Sequence, residues 1–283
     1  VSGFRSYGAL GEAARAGQIH TAHFRKVPSQ ASVAGQWVDL SMAAGNPQPN
    51  YYPTAPLEAA VLSGMRGILH GDDKAPASMH VLDMVLCSPT AGFVGTYQLL
   101  DYLLYYPFVD LDDTAPQVMI NDVPLPRYVD GEGVRAMLVT TAPTLGGGSF
   151  TYDYINQDGA AKTSPAITCN TTADSIATIC TSQQATAAGG ALFLPMATGD
   201  TGIREISGVT MLAPNGGLAA LVLVRPLCSA RISEVSVPSE RVYLTEQPNA
   251  PRVEDGAYLG LVVNCAATVA AGTLAGRITF VWN

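Results

Sequence analysis

From about residue 130 onward the chain repeats one pattern: a short run rich in Val, Ile, Thr and aromatic residues, then a turn at Gly or Pro. Gly133–Thr141 and Ser149–Ile155 open the series, and the second run ends at Asn156-Gln157-Asp158-Gly159. Ser164–Thr171, Ala191–Leu194, Gly208–Leu212, Leu218–Arg225, Arg241–Thr245, Tyr258–Ala266 and Arg277–Trp282 continue it. Runs of this kind, about 10–20 residues apart, are the strands of a sandwich or jelly roll. Arg277–Trp282 alternates cleanly, as a C-terminal strand that closes a sheet does. The expected fold class is mainly β: a β-sandwich or jelly-roll-like body with an irregular N-terminal arm and one short helix.

Three parts are expected: an extended arm over residues 1–56, a mixed α/β segment over 57–130, and the β-sandwich over 131–283. Gly and Pro punctuate the arm, and Gly45-Asn46-Pro47-Gln48-Pro49-Asn50-Tyr51-Tyr52-Pro53 forbids helix and any central strand. A short helix fits Leu10–Ala16. Trp37, Tyr51 and Tyr52 are large anchors in otherwise irregular chain, so the arm orders only where those rings dock. They are the candidate partner-docking residues, with the body itself or a neighbouring subunit as the surface. In the middle segment Ala77–Cys87 reads as a buried strand. Leu99, Leu100, Leu103 and Leu104 fall at helical spacing, with Gly95-Thr96 as a cap and Pro107 as a stop, which predicts a helix over 97–106.

Charged residues are only 13% of the 283, against 48% apolar. A chain so poor in charge cannot cover a sandwich of this size with solvated side chains, which implies self-association or a partner. No apolar run reaches the roughly 18 residues of a membrane span. Net charge is −8 and no basic stripe is present, so neither a membrane nor nucleic acid is an expected partner. The five cysteines (Cys87, Cys169, Cys180, Cys228, Cys265) form no CxxC pair, and no signal-peptide pattern opens the sequence. Buried thiols made in a reducing cytoplasm are the default, with a single Cys169–Cys180 bridge as the alternative.

Motifs for catalysis are missing. His20 and His23 lack a third metal ligand, His70-Gly71-Asp72-Asp73 reads as a turn, and His80 lies in a strand. Asp110, Asp112 and Asp113 begin like a calcium loop but lack its glycine and distal glutamate, so an acidic loop that caps a helix end or pairs with Arg127 competes with a cation site. Gly146-Gly147-Gly148-Ser149-Phe150 is no nucleophile elbow, and neither phosphate loop motif occurs. The expectation is a non-enzyme without cofactor.

One set of residues carries a resemblance. Tyr97–Asp110, Val123-Pro124-Leu125-Pro126-Arg127-Tyr128, Gly131–Val134, Asp39–Pro47 and Tyr51-Tyr52 together look like virion structural proteins of tailed bacteriophages. The resemblance spans roughly the N-terminal half. It implies a virion component assembled in the host cytoplasm, with the major capsid protein or other virion proteins as partners. Capsid decoration (cement) or minor capsid protein is the leading form, with a homo-oligomer, a trimer by analogy. A tail, neck or baseplate part is the alternative. A particle-displayed carbohydrate-binding β-sandwich is a third, which an exposed Trp or Tyr on a concave face would favour; Trp37 and Trp282 are the only tryptophans, one in the arm and one in a terminal strand.

Overall fold

A computed structural model of the chain describes residues 4, 6–29, 33–62, 67–182, 192–243, 250–268 and 271–283. Strands occupy 47% of the chain and helical turns 6%, as the strand pattern requires. Numbered along the chain, the strands build three antiparallel sheets. The first runs β14 (Ser239–Val242), β5 (Met79–Cys87), β17 (Leu274–Trp282), β1 (Ile19–Val27), β3 (Ala44–Asn46), with β15 (Arg252–Val253) beside β5. The second runs β2 (Trp37–Asp39), β16 (Tyr258–Cys265), β6 (Gly95–Asp110), β13 (Leu218–Ile232), β8 (Arg135–Thr140), with β4 (Ala60–Val61) beside β6. The third runs β10 (Ala161–Thr163), β9 (Ser149–Asn156), β12 (Ile203–Ala213), β7 (Gln117–Val118), with β11 (Ile167–Thr168) beside β9.

The second sheet is the shared wall between two cores. Along β13, Ala220, Val222 and Val224 join one core while Ala219, Leu221 and Leu223 join the other. Its neighbour β8 does the same, with Met137 and Val139 on one side and Ala136 and Leu138 on the other. Strands buried on both faces read as continuous apolar runs, which is what Leu218–Val224 shows. The first core is completed by Phe24, Met84, Leu86, Ile278 and Phe280 of the first sheet. The second is completed by Phe150, Tyr152, Tyr154, Val209 and Met211 of the third.

That double burial corrects the helix expected over 97–106, because these residues lie inside the sixteen-residue strand β6. Leu99 and Leu100 face the first core, Leu103 and Leu104 the second. Leu103 is the extra residue of a bulge on β6, between the partners of Leu223 and Val224, whereas Leu99 and Leu100 alternate regularly against β16 and reach the same core from the two faces. The bulge slips the alternation by one residue, and together the two pairs imitate a helical period. Among the described residues of 57–130 the helical content is a single 3-10 turn, Ala91–Phe93. The short helix falls where the N-terminal reading put it. It is α1 (Tyr7–Arg15), capped by Ser6, whose hydroxyl accepts from the Ala9 amide.

The stretch expected to be an arm is threaded through the body. Strand β1 lies between β17 and β3, pairing Ile19–Lys26 with Val281–Leu274. β2 pairs with β16. Ala22, Phe24, Leu40, Met42 and Tyr52 all belong to the first core. Glycine and proline therefore mark the bends between short strands, where the sequence suggested continuous irregular chain. Sheet pairing likewise crosses residues 56 and 130, through β2–β16 and β6–β13.

The other expected strands are found as β5, β8, β9, β12, β13, β16 and β17, several of them longer than the sequence suggested. Ser164–Thr171 shrinks to the two residues of β11, and Leu192–Leu194 is irregular. Arg241 and Val242 end β14, and Leu244–Thr245 lie outside the described residues, as does Ala191. β17 is interior to its sheet, between β5 and β1.

The second sheet also meets itself. Residues 177–180 bond to β2 on one side, with Asp39 N–H donating to Ala177 O at 2.7 Å and Ile179 N–H to Trp37 O at 2.8 Å. On the other side Cys180 N–H donates to Leu138 O at 3.0 Å and Thr140 N–H to Thr178 O at 2.9 Å. The sheet is thereby a closed hydrogen-bonded ring.

Candidate functional site

The three proposed docking rings have different fates. Trp37 is half-buried against the first core, and its amide donates to Ser182 Oγ at 3.1 Å. Tyr52 is 1% exposed and packs against Tyr105, with ring centroids 5.2 Å apart and the planes tilted by 55°, within the chain's own core. Only Tyr51 faces outward, at 62% exposed. It borders a cleft of about 210 Å3 whose other walls include Pro28, Met42, Ala44, Thr141 and Ile176. The docking surface for Trp37 and Tyr52 is thus this molecule, and a partner is left with Tyr51.

Beneath that cleft sits a polar cluster that composition and motif did not reveal. Asp39 is fully buried and accepts from Ser41 N–H and Ser41 Oγ, each at 2.8 Å, from Tyr102 Oη at 2.7 Å, and from the Tyr52 hydroxyl. Burial pushes its carboxyl up, against the four hydrogen bonds that favour the anion. Burial and the neighbouring Asp39 hold both tyrosine hydroxyls far above their ordinary range, so they stay protonated donors. Lys26, on β1, is 4% exposed and donates to Ala43 O at 3.2 Å and Pro47 O at 2.8 Å. Burial pushes its ammonium down to about 8, with Asp39 opposing. A carboxylate saturated by four donors, with its counter-charge on a separate strand, specifies one packing and offers no lone pair to a substrate. The cluster pins residues 39–52 to β6 and β1. A charge inside an apolar run, as in Trp37-Val38-Asp39-Leu40, was the available signal.

A second buried acid follows the same logic. Asp101, in the middle of β6, is fully buried and pairs with Arg127 at 2.6 and 2.8 Å while accepting from Tyr258 N–H at 3.0 Å. Arg127 also donates to Gly256 O and Tyr102 O, so one guanidinium ties its loop to β6 and to the start of β16. The sequence reading offered Arg127 as a partner for the acidic loop; the structure gives it to Asp101 instead.

The acidic loop spends its carboxylates on backbone amides, two of its own and one of the turn before β13. Asp110 accepts from Asp112 N–H at 2.9 Å, Asp112 from Gly216 N–H at 3.0 Å, and Asp113 from Ala115 N–H at 2.8 Å. Among the described residues no group of three His, Cys, Asp or Glu side chains is placed to hold a metal ion. His20 and His70 both lie against Phe280, each with Nε2–H donating to a backbone carbonyl, Leu69 O and Ala257 O respectively. His80 contacts Ala250 O at 3.1 Å. Trp282 is half-buried with the Lys74 ammonium 4.3 Å above its ring. Neither tryptophan is therefore the exposed platform that a sugar-binding face needs.

No family model matches the sequence, and no curated protein matches it. Among solved structures the chain is similar to the infectious bursal disease virus VP2 subviral particle at 9% identity and a TM-score of 0.18, over 94% of this chain and 80% of that one. The structure of the Gt strain of that virus gives 10% identity and 0.17, over 93% and 80%. Scores this low carry neither fold nor function across, so the chain's own residues must supply the reading.

Proposed function

We propose that the chain is a non-enzymatic structural subunit of a virus particle, of the tailed-phage capsid decoration or minor capsid type, that works by associating with copies of itself and with other virion proteins. One observation carries the association: an apolar patch at the rim of the third sheet. Val118 is 70% exposed, Ile120 53% and Phe108 45%. They are neighbours through Leu57, whose amide donates to Pro107 O and whose carbonyl accepts from Ile120 N–H. Phe108 sits at φ 60°, a left-handed conformation costly for a bulky residue, and its ring is turned out to solvent. The virion assignment is supported by the tailed-phage likeness of Tyr97–Asp110 and its companion segments.

Light scattering on the purified chain after size exclusion tests the association. A homo-oligomer, a trimer on the decoration reading, is expected at micromolar concentration. The double variant Phe108→Ser, Val118→Asp should be monomeric. A monomeric parent chain would remove the patch as an interface.

A further inference from the structure

Two of the five cysteines meet, and the segment they would join is the one that closes the central ring. Cys169 and Cys180 are both fully buried in the second core. Cys169 N–H donates to Gly148 O at 2.8 Å and Cys180 N–H to Leu138 O at 3.0 Å, so backbone bonds pin each of them. Asn170 N–H donates to Cys180 O at 2.6 Å, and the Asn170 amide reaches Ile179 O at 3.1 Å, so the two lines of chain run side by side. The Cys180 side chain is within hydrogen-bonding reach of Cys169, and Asn170, next to Cys169, is hydrogen-bonded directly to Cys180. Two sulfurs held that close can be joined where the Cβ atoms approach to the distance a disulfide spans. The other cysteines have different surroundings. Cys228 lies by Tyr243 and Arg241, Cys265 by Tyr97, and half-buried Cys87 ends β5.

We propose that Cys169 and Cys180 form a dithiol site that oxidises to an intramolecular disulfide and staples residues 177–180 to the chain following β11. With a small disulfide such as oxidised glutathione, one cysteine's thiolate attacks one sulfur and expels a glutathione thiolate. The thiolate of the other cysteine then displaces the second glutathione, so the protein loses two electrons and two protons and two glutathione molecules are formed. Both cysteines are fully buried, and in the folded chain the hydrogen bond with Cys169, burial and Asp174 hold the Cys180 thiol protonated. Oxidation therefore needs a transient opening of residues 170–180. The site remains a dithiol in a reducing compartment and closes in an oxidising one. The proposal does not depend on which assembly the chain joins.

The test incubates the reduced full chain with oxidised glutathione in sub-denaturing urea, alkylates the remaining thiols and maps peptides by mass spectrometry. The expected product is about 2 Da lighter than the reduced chain before alkylation, has its bridge between Cys169 and Cys180, and carries alkyl groups on the other three cysteines. Its Tm should rise by about 5–10 °C for a loop of this size. A triple variant Cys87→Ser, Cys228→Ser, Cys265→Ser should still form the bridge, whereas Cys180→Ser should lose it together with the Tm gain. Five alkylated cysteines, glutathione adducts without a bridge, or a bridge to another cysteine would overturn the proposal. Mapping of the parent chain decides the matter even if a serine variant fails to fold.

Discussion

Replacing Asp174 by Asn tests how the ring-closing segment is held. Asp174 is 2% exposed, and its Oδ1 accepts from Gln36 Nε2 at 2.7 Å and Asn170 Nδ2 at 2.8 Å. Its amide donates to Thr144 Oγ1 at 3.0 Å, while Oδ2 is buried with no partner among the described residues. Burial outweighs these hydrogen bonds and lifts the carboxyl from 3.8 to about 6. Between those two values the folded chain keeps a proton that the unfolded chain has lost, so this site's contribution to stability falls as pH rises from about 4 to 6 and stays low above that. At about 1.4 kcal/mol per pH unit the full difference is about 3 kcal/mol. The Asp174→Asn change would keep the Oδ1 acceptor and remove the charge, at a cost of about 1–3 kcal/mol for an amide NH2 in place of Oδ2. Urea midpoints of parent and variant, taken from pH 4 to 7, should therefore converge or cross as pH rises. The variant should gain about 3 kcal/mol on the parent over that range. Taking the difference cancels other titrating groups that lie apart from this site. Parallel curves would mean that Asp174 ionises in the folded chain without penalty, and that the segment is not sealed from water.

Tyr52→Phe should destabilise the chain by about 1–3 kcal/mol, because Asp39 loses a donor in a site that water cannot refill; chemical unfolding reads this, and an unchanged midpoint would mean water replaces the hydroxyl. His70 is pulled below its usual value of 6.5 chiefly by burial, so the fold favours the neutral ring. Its contribution is present above about pH 6.5 and is lost as pH falls below that, so thermal scans of His70→Phe should show a flatter decline from pH 7 to 5 than the parent. Deleting residues 1–56 should abolish cooperative unfolding, since β1 is interior to its sheet; a soluble truncation with a sharp thermal transition would show that β17 and β5 suffice. Replacing Asp112 and Asp113 together by Asn should leave oligomerisation unchanged and insensitive to calcium in light scattering, because each oxygen that accepts is retained.

The β class and most C-terminal strands were legible because Ser149–Ile155 and Arg277–Trp282 alternate and end at turn residues. Strand β6 was not. Its two leucine pairs come from a bulge at Leu103 and from burial on both faces at Leu99 and Leu100, which only the partner strands reveal, and local spacing cannot distinguish them from a helix. The N-terminal residues misled for a related reason. His20, His23, Arg25 and Lys26 make β1 look polar, yet one face of the strand supplies Ala22 and Phe24 to the core and Lys26 is capped by two carbonyls. Of the docking rings, Tyr51 and Tyr52 are adjacent and identical in type. Only Asp39, thirteen residues before Tyr52, decides which one turns inward.

The ring closure of the second sheet bears on what the chain does when crowded. A sheet whose rim bonds to itself presents no unsatisfied row of amides for a stranger's strand to extend. The remaining rims belong to the outer sheets, and each is short or guarded. β3 has three residues and runs into Pro47, and β10 has three with Lys162 at its centre. β7 has two and follows Pro116, while β14 carries Glu240 and Arg241. Side-chain contact then remains the main way for copies to stick together, and such contact can stop at a finite number of copies. At high concentration such a chain would be spared runaway fibre growth by the few hydrogen bonds made by residues 177–180.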